Sequence, residues 1–416
     1  MSNYDVIVVG GGITGCAFAL ALAQQTSFSI AILEAKPAVT TWDETDYHHR
    51  VSAIALSSQR LFASLKVWDP MQKKRVSPFT KIAVWDAESS GQIQFDSADI
   101  QEDFLGFIVE NNVMEEALHE QISHYPQIQY IAPVTLVSVK TQAQCIELAA
   151  DDGTIFAGKL AVAADGAHSW LRQNMGIAVT RDEYDQKAIV AAVRTEQAHE
   201  QIARQVFLDA GPLAFLPLQD RYLSSIVWSL PSQTAADLCH APLDVFKLKL
   251  TEAFAGHLGK ILEVGRRYTF PLYRQSAAQY VLPRVALIGD AAHVVHPLAG
   301  QGLNMGLLDA MSLAEVMADA AKSQRNAFDY TVLRRYERWR KADNFALTNG
   351  IDMIKRLFAS NKAGVMQWRS LGLRATNNLR WIKNMFTRHA VGRRGGLPRM
   401  PLTPALSQRE RGKSNI

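Results

Sequence analysis

The chain has 416 residues, of which 48% are hydrophobic and 20% are charged. This length predicts two or three domains with a sizeable core, and the composition excludes a disordered, collagen-like or coiled-coil protein. The formal net charge is +4, but residues 331–416 contain 19 Lys and Arg against 4 Asp and Glu, so this last fifth carries +15 and the remainder −11. The basic C-terminal region is therefore expected to face an anionic partner.

Neither a membrane span, a secretory signal nor a metal site is expected. The most apolar stretch, residues 4–23, contains Asp5 and three consecutive glycines, and no Lys or Arg precedes it. Three scattered cysteines indicate neither a disulfide framework nor structural zinc, and they fit a reducing cytoplasm. The histidines at positions 48, 49, 293 and 296 lack the spaced His and acid partners of a metal site.

The chain begins with the pattern of a strand, a glycine turn, a helix and a second strand, predicted at residues 4–9, 10–15, 13–25 and 29–33. The turn fits Gly-x-Gly-x-x-Gly through Gly10, Gly12 and Gly15, which let a backbone and a helix N-terminus approach a pyrophosphate. Glu34, at the end of the second strand, can accept a hydrogen bond from a ribose hydroxyl. These features predict dinucleotide binding without distinguishing NAD from FAD.

Further elements follow in the rest of the chain. Residues 51–65 have helical spacing, and residues 82–95 and 188–228 contain strand-like stretches separated by turns, which predict an antiparallel sheet. A short buried strand at 285–288, a long helix at 303–321 and a basic helical region from 330 onward complete the pattern.

Two more motifs stand beside these elements. Residues 286–306 read ALIGDAAHVVHPLAGQGLNMG, in which an acid follows a strand and a glycine, and a Gly-Gln-Gly turn then opens a helix. Simple packing does not demand such a combination. Residues 163–169 read AADGAHS; an Asp-Gly pair after a strand is by itself most often a plain turn, but this one lies between the two other motifs.

With these motifs the chain resembles the FAD-dependent aromatic-ring hydroxylases, and within them the hydroxylases of ubiquinone biosynthesis. The second resemblance extends from about residue 4 to residue 392 and depends on HRVSAIALSSQRLF (49–62), IVENNVMEEAL (108–118), LAFLPL (213–218) and HPLAGQGLNMG (296–306). The segment RTEQAHEQIARQVF (194–207) is most similar to the members that hydroxylate C5 of a polyprenylphenol ring.

The resemblance implies an FAD site. Asp290 would hold the ribityl chain, Asp165 would contact FAD, and Arg50 would approach it from a mobile loop. Residues 300–304 would present backbone to the flavin, where the positive end of the helix dipole suits the negative charge of the reduced ring. Glu110 is an alternative to Asn111 as the contact from its segment. The full set is Gly10, Gly12, Gly15, Glu34, Arg50, Asn111, Asp165, Asp290, Gly300, Gln301, Gly302, Leu303 and Asn304.

The resemblance also implies the reaction: NAD(P)H reduces FAD, O₂ forms a flavin C4a-hydroperoxide, and a phenol ring takes one oxygen atom. The protein would orient the ring and exclude water. No catalytic residue is assigned, with Pro297 and His296 as weak candidates beside the flavin. Phe215, Leu216 and Pro217 are candidates for the substrate pocket, although strand residues of this kind are as often ordinary core. No second nucleotide-binding fold is evident, so NAD(P)H is expected to dock transiently.

The expected fold class is α/β: a Rossmann-like FAD-binding domain (1–74, 101–180 and 275–345) with an inserted mixed β-sheet substrate domain (75–100 and 181–274) and C-terminal helices. Residues 346–392 are expected to form a basic helical region, and 393–416 a disordered tail. A helix over residues 376–390 would place Leu379, Ile382 and Phe386 on one face, suited equally to a membrane surface or to packing on the acidic body.

The expected partners are a polyprenylphenol substrate, an anionic membrane surface or a quinone-biosynthesis complex, and further copies of the chain; nucleic acid is not expected. The expected location is the cytoplasm, peripheral to the inner membrane. Two other functions stay open: an FAD monooxygenase of a small soluble aromatic compound, and a non-catalytic FAD-binding scaffold within a biosynthetic complex.

Overall fold

The structure is a computed structural model that describes residues 2–37, 42, 47–89, 91–296, 300–358 and 398, with the backbone alone for 350–358. The strands are β1 (Ser2–Val9), β2 (Ile30–Leu33), β3 (Val51–Ala55), β4 (Val76–Phe79), β5 (Lys81–Asp86), β6 (Gln92–Asp96), β7 (Gly106–Glu110), β8 (Ile128–Ile131), β9 (Leu136–Thr141), β10 (Ile146–Ala150), β11 (Ile155–Ala163), β12 (Val179–Thr195), β13 (Ile202–Leu208), β14 (Gly211–Pro217), β15 (Leu223–Pro231), β16 (Ile261–Val264), β17 (Tyr268–Ala277), β18 (Val281–Leu282), β19 (Val285–Leu287) and β20 (His293–Val294). The helices are α1 (Ile13–Ala23), α2 (Leu56–Ser64), α3 (Trp68–Gln72), α4 (Asn111–Ile122), α5 (Trp170–Asn174), α6 (Ser232–His240), α7 (Leu243–Ala253), α8 (Gln301–Lys322) and α9 (Tyr330–Phe358), with short 3₁₀ turns at Ser97–Ile100 and Gly289–Ala291.

The first sheet forms the centre of the larger half. Its strands follow the order β18-β19-β11-β1-β2-β8, and β10 and β9 extend it from β11. Strands β19, β11, β1, β2 and β8 run parallel to one another, and β18 pairs antiparallel with β19. Such a sheet is covered on both faces, which explains the uninterrupted apolar runs of β1 and β2. Helix α1 packs against α8 and α4, and ten of its eleven residues are buried.

The second sheet has nine strands, in the order β20-β17-β12-β15-β14-β13-β5-β6 with β16 beside β12. The strands predicted within residues 188–228 are confirmed as parts of β12 to β15, which pair antiparallel, while β13 and β5 pair in parallel. One face of this sheet forms a separate apolar core with α6 and α7, which we call the second core. The opposite face lies toward the larger core around the first sheet, which we call the first core, because Leu216 and Ala192 pack against it.

A third, three-stranded sheet has the order β3-β7-β4. Its presence corrects the helix expected over residues 51–65: β3 ends at Ala55, and helix α2 begins only at Leu56. The helical spacing was misleading because Val51 to Ala55 pair residue by residue with β7. Strand β4 falls within the segment 75–100 that was assigned to the inserted domain, but it pairs with β7 and not with the second sheet.

Helix α8 begins at Gln301, two residues before the predicted start, and α9 packs along it. The predictions for 359–392 and for the tail 393–416 lie outside the described residues, apart from position 398. In the part of the chain that the structure describes, no helix is both long enough and apolar enough to cross a bilayer.

Candidate functional site

The glycine turn after β1 is built for close backbone contact. Gly10 has φ +106°, and a Cβ there would lie 2.5 Å from the Ala164 carbonyl oxygen. A Cβ on Gly15 would lie 2.1 Å from the carbonyl oxygen of Gly10. Gly12 differs, because no atom of the described residues lies within 4 Å of its Cβ position, in front of the uncapped N-terminus of α1. That open space with free N–H groups is where a pyrophosphate would bind.

Glu34 lies beside this turn, since β1 and β2 are parallel neighbours and end together. Its carboxylate accepts hydrogen bonds from the backbone N–H groups of Gly11, at 2.7 Å, and Lys36, at 3.0 Å. These two bonds fix the carboxylate at the end of the sheet and leave further lone pairs for a ribose hydroxyl.

Two neighbours of the turn were missed from the sequence. The Tyr130 hydroxyl oxygen would meet a Cβ on Gly11 at 2.4 Å, and the His119 Nε2 atom lies 3.3 Å from the Gly11 carbonyl oxygen. Burial, with a smaller contribution from the nearby carboxylates, raises the pKa of Tyr130, so this phenol stays protonated. No spacing pattern links either residue to the turn; only the pairing of β2 with β8 and the packing of α4 bring them there.

Asp290 lies in the 3₁₀ turn that follows β19. Its side chain is reachable by solvent, yet the surrounding protein raises the pKa of its carboxyl, while the charges of His293 and Arg50 act in the opposite direction. A group that is both solvent-accessible and deeply surrounded lines a cleft. The charge of the exposed Arg50 acts on Asp290, so these two predicted contacts lie within electrostatic reach of each other.

Asp165 follows β11 at the same edge of the first sheet. Its Oδ2 atom accepts a hydrogen bond from the Leu171 N–H at 3.1 Å, but the buried Oδ1 atom accepts none from the residues that the structure describes. Burial raises the pKa of this carboxyl. An unsatisfied buried acceptor costs about 1–3 kcal/mol, so a donor from outside the protein suits Oδ1.

Arg172 connects the second and third motifs and was also missed. Its guanidinium is buried and donates to the carbonyl oxygens of Ala291 and Ala167, each at 2.9 Å. These atoms belong to the turn of Asp290 and to the loop of Asp165. An arginine in a short helix carries no sequence signal for this role, because its partners are backbone atoms from distant segments.

The Gly-Gln-Gly turn opens α8. Gly300 caps the helix with φ +59°, and a Cβ there would lie 2.8 Å from that of Ala53. The N–H groups of Gly302 and Leu303, in the first turn of α8, have no carbonyl partner within the helix and point out of its N-terminus. Asn304, the last residue of the predicted set, lies one position beyond these groups.

The Asn304 side chain instead fastens α8 to β3. Its Nδ2 group donates to the carbonyl oxygens of Ala53, at 2.8 Å, and Gly300, at 3.0 Å, and its Oδ1 atom accepts from the Ala55 N–H at 2.9 Å. Asn304 therefore positions the Gly300 turn.

The segment from β7 into α4 holds the loop that carries Arg50. The Asn111 N–H donates to the Arg50 carbonyl oxygen at 3.0 Å, and its Oδ1 atom accepts from the Ser52 hydroxyl at 2.8 Å. Glu110, the alternative to Asn111, is buried in an ion pair with Arg75 at 3.1 Å, and it accepts the His48 N–H at 2.6 Å. The Asn111 and Glu110 side chains therefore both help to fix the position of the loop that carries Arg50.

Of the two candidates beside the flavin, His296 is buried, and its ring meets that of Tyr184 edge-on, with ring centroids 5.4 Å apart. Pro297 lies outside the described residues.

The substrate-pocket candidates lie on different faces of β14. Phe215 is buried in the second core, stacked on Phe254 with ring centroids 3.9 Å apart, so its ring points away from the first core. Leu216 points toward the first core and is half-buried, and Pro217 is buried.

Strand register extends the Leu216 face into an apolar strip. Val190 pairs with Val227, and Val227 pairs with Ala214, so these three side chains lie side by side; all are half-buried. We call Val190, Ala214, Leu216 and Val227 the apolar strip. The sequence analysis did not identify Val190, Ala214 and Val227. In their strands half-buried and buried residues alternate in the structure, but the sequence does not indicate which face of the sheet is covered.

The edge of the strip meets the Arg50 loop. Tyr268 pairs with Val190, and the His49 ring stacks on Tyr268 with centroids 4.2 Å apart. Burial and the positive charges of neighbouring groups lower the pKa of His49, so the stacked ring is neutral at neutral pH. The loop therefore spans from the cleft of Asp290 to the second sheet.

These residues fit FAD. They supply a glycine cradle with open space at Gly12, a free carboxylate oxygen on Asp165 and uncapped N–H groups at two helix N-termini. Each is a donor, an acceptor or a close approach that a dinucleotide uses.

Comparison with known proteins agrees with this geometry. A family model described as an FAD binding domain matches residues 3–348. The 3-demethoxyubiquinol 3-hydroxylase of Escherichia coli is 34% identical over 389 residues, covering 93% of this chain and 98% of that protein. The mitochondrial ubiquinone biosynthesis monooxygenase COQ6 of Homo sapiens is 36% identical over 429 residues, covering 91% of each. Among solved structures, p-nitrophenol 4-monooxygenase PnpA from Pseudomonas putida has a TM-score of 0.77 at 18% identity, with 95% of this chain and 100% of that chain covered, which supports the fold.

The fold, the cleft and the family match define an FAD-dependent monooxygenase. Within that class the chain belongs to the family of ubiquinone-biosynthesis hydroxylases. The predicted α/β fold class, the FAD cofactor and the enzyme class are confirmed.

Proposed function

We propose that this enzyme hydroxylates the aromatic ring of a polyprenylated phenol in ubiquinone biosynthesis, at C5 of the ring, with NAD(P)H as the reductant. The observation that carries the proposal is the apolar strip. It is half-buried and lies on the sheet face toward the first core, and the Arg50 loop meets its edge. Its Val, Ala and Leu side chains offer no charged or hydrogen-bonding group, as suits a ring with an apolar tail. The printed names of the relatives, a ubiquinol hydroxylase and a ubiquinone biosynthesis monooxygenase, support the same substrate class.

The chain's own residues then have separate tasks. FAD, when bound, supplies the redox chemistry with O₂. The N–H groups of Gly302 and Leu303, at the start of α8, would stabilise negative charge on the reduced flavin. The apolar strip holds the phenol ring and excludes water from it. The neutral His49 closes one edge by stacking on Tyr268.

A substrate with a prenyl tail makes a membrane or a membrane-bound complex the natural source. Each buried CH₂ contributes about 0.8 kcal/mol, so a five-carbon unit adds roughly 3–4 kcal/mol toward lipid. We propose that residues 376–390 bring the enzyme to an anionic surface through Arg380, Lys383 and Arg388, each contributing on the order of 1 kcal/mol. This segment lies outside the described residues.

Liposome flotation tests the membrane proposal. Wild type should float with anionic vesicles, and a charge-reversed Arg380/Lys383/Arg388 variant should not. Reversal of Lys322 and Arg325, which are exposed elsewhere, is the matched control and should leave flotation unchanged. Equal flotation of the three proteins, or none, would reject the proposal.

Substrate-stimulated oxidation of NAD(P)H tests the reaction. A polyprenylphenol in detergent should stimulate oxidation and give a ring-hydroxylated product with one atom from ¹⁸O₂. Stimulation by small soluble phenols alone would favour the first alternative function, and no stimulation by any phenol would favour the scaffold. Quinone intermediates in a deletion strain, with and without this gene, identify the ring position.

A further inference from the structure

A buried charged cluster lies behind the Asp290 turn, on the side of α8 and α9. Asp309 of α8 is fully buried, and four donors converge on its carboxylate. The Oδ2 atom accepts from the Gly289 N–H at 3.2 Å and lies 2.5 Å from the His293 Nε2 atom. The Oδ1 atom accepts from the Arg340 Nε group at 2.8 Å and from the Asn344 Nδ2 group at 3.1 Å.

The two residues of α9 also hold each other. The Arg340 Nη2 group donates to the Asn344 Oδ1 atom at 2.7 Å, and both side chains are buried. Although burial acts to raise it, the charges of His293 and Arg340 lower the pKa of Asp309 to about 2. The cluster is thus an ionised carboxylate whose lone pairs are all used.

Attachment of α9 alone does not explain this cluster. The helix already packs through buried apolar side chains, among them Val332, Leu333 and Tyr336. A buried ion pair is often no more stabilising than apolar residues of similar size, because both charges lose their hydration. Fixing a particular geometry is a role that an apolar contact would not serve.

The geometry that Asp309 fixes is the turn that carries Asp290. Gly289 begins the turn with φ +60°. The turn also packs tightly, because a Cβ on Gly306 would lie 3.0 Å from the Thr14 hydroxyl oxygen and 3.1 Å from the Gly289 Cα. The Gly289 N–H bond to Asp309 therefore aligns a turn that touches both the first and the second motif.

We propose that Asp309, held by Arg340 and Asn344, positions the 289–291 turn so that Asp290 faces FAD, and that α9 is thereby part of the cofactor site. Arg340 acts through two intermediate groups and is a positioning residue. The role depends on FAD binding and not on the identity of the phenol, so it can fail while the proposed substrate is correct, and the reverse.

FAD titration of the apoprotein tests the proposal. Arg340→Met should weaken FAD binding at least tenfold, measured by flavin fluorescence at a temperature where far-ultraviolet circular dichroism shows the variant folded. Arg338→Met is the matched control, because Arg338 is exposed on the same helix, and it should bind FAD as wild type does. A folded Arg340→Met protein that binds FAD within twofold of wild type would overturn the proposal.

A double-mutant cycle separates positioning from general structural damage. In an Asp290→Asn background, Arg340→Met should weaken FAD binding by less than threefold, because the group through which it acts is already lost. A purely structural role predicts the full tenfold loss in both backgrounds, which would contradict positioning. If Arg340→Met does not fold, Asn344→Leu replaces it in the cycle; it removes one donor to Asp309 and should show the same non-additivity with a smaller loss.

Discussion

The flavin-binding half and the second sheet form their binding surfaces in different ways, and they are expected to tolerate different amino-acid substitutions. In the first half the backbone of the glycine turn packs against other backbone, so Gly10 and Gly15 have no room for even one carbon atom, and the open position at Gly12 is left for the ligand. In the second sheet the side chains form the surface, and the apolar strip is half-buried. The comparison teaches that cofactor binding depends here on backbone positions, whereas substrate binding depends on which face of a strand a side chain occupies.

The sharpest test within the first half compares two glycines of one turn. Gly15→Ala should destabilise the apoprotein by about 3 kcal/mol and abolish FAD binding, because its Cβ meets a backbone oxygen at 2.1 Å. Gly12→Ala should leave the apoprotein stable, because its Cβ meets no atom in the described part of the chain, and should still lose FAD. Urea unfolding and FAD titration measure the two effects. Equal apoprotein stability of the two variants would break the distinction.

Gly302→Val tests the opening of α8. Among the described residues, the one neighbour of the Gly302 Cβ position is Val295, at 3.9 Å, so the variant should fold. Hydroxylation should fall by about 100-fold, because the side chain occupies the space in front of the free N–H groups. Product formation per bound flavin is the measurement. Ala342→Val, at an exposed position of α9, is the control and should retain activity. Full activity of Gly302→Val would mean that the flavin edge lies elsewhere.

Neighbouring residues of β14 test the second sheet. Phe215→Ala should cost about 3–5 kcal/mol of unfolding free energy, because it removes a ring stacked in the second core. Leu216→Ala should cost less and should instead raise KM for the phenol while FAD affinity stays unchanged. Denaturant unfolding and steady-state kinetics distinguish the two. A larger KM effect for Phe215→Ala than for Leu216→Ala would place the substrate on the other face.

Acid unfolding gives the smallest effect. Because the folded-state pKa of Asp309 is lowered to about 2 from 3.8, its contribution to stability is complete above pH 4 and is lost as the pH falls toward 2. Wild type should therefore lose stability more steeply across this window than Asp309→Asn. Asp319→Asn, on the same helix, should follow wild type. Parallel curves for wild type and Asp309→Asn would show that the carboxylate does not contribute in this way.

Much of the cofactor half could be predicted from the sequence. The glycine spacing, Glu34 and the Gly-Asp block are local patterns, and each depends on a strand, a turn and a helix that follow one another directly. Glycine positions are informative in a sequence, because other residues cannot adopt the same backbone conformations or allow the same close backbone contacts. The resemblance to the aromatic hydroxylases rested on these same segments, and the family comparison confirmed it.

Other features were decided by the tertiary structure alone. Residues 51–55 became a strand because β7 offers pairing partners, against their own helical spacing. Phe215 and Leu216 differ in role only because the second sheet has one covered face and one face toward the first core. Arg172, Tyr130 and Asp309 meet their partners across more than a hundred residues or between helices. Since such contacts depend on the packing of whole elements and not on spacing along the chain, the sequence determined the cofactor and the class of fold, and packing determined which side chains surround them.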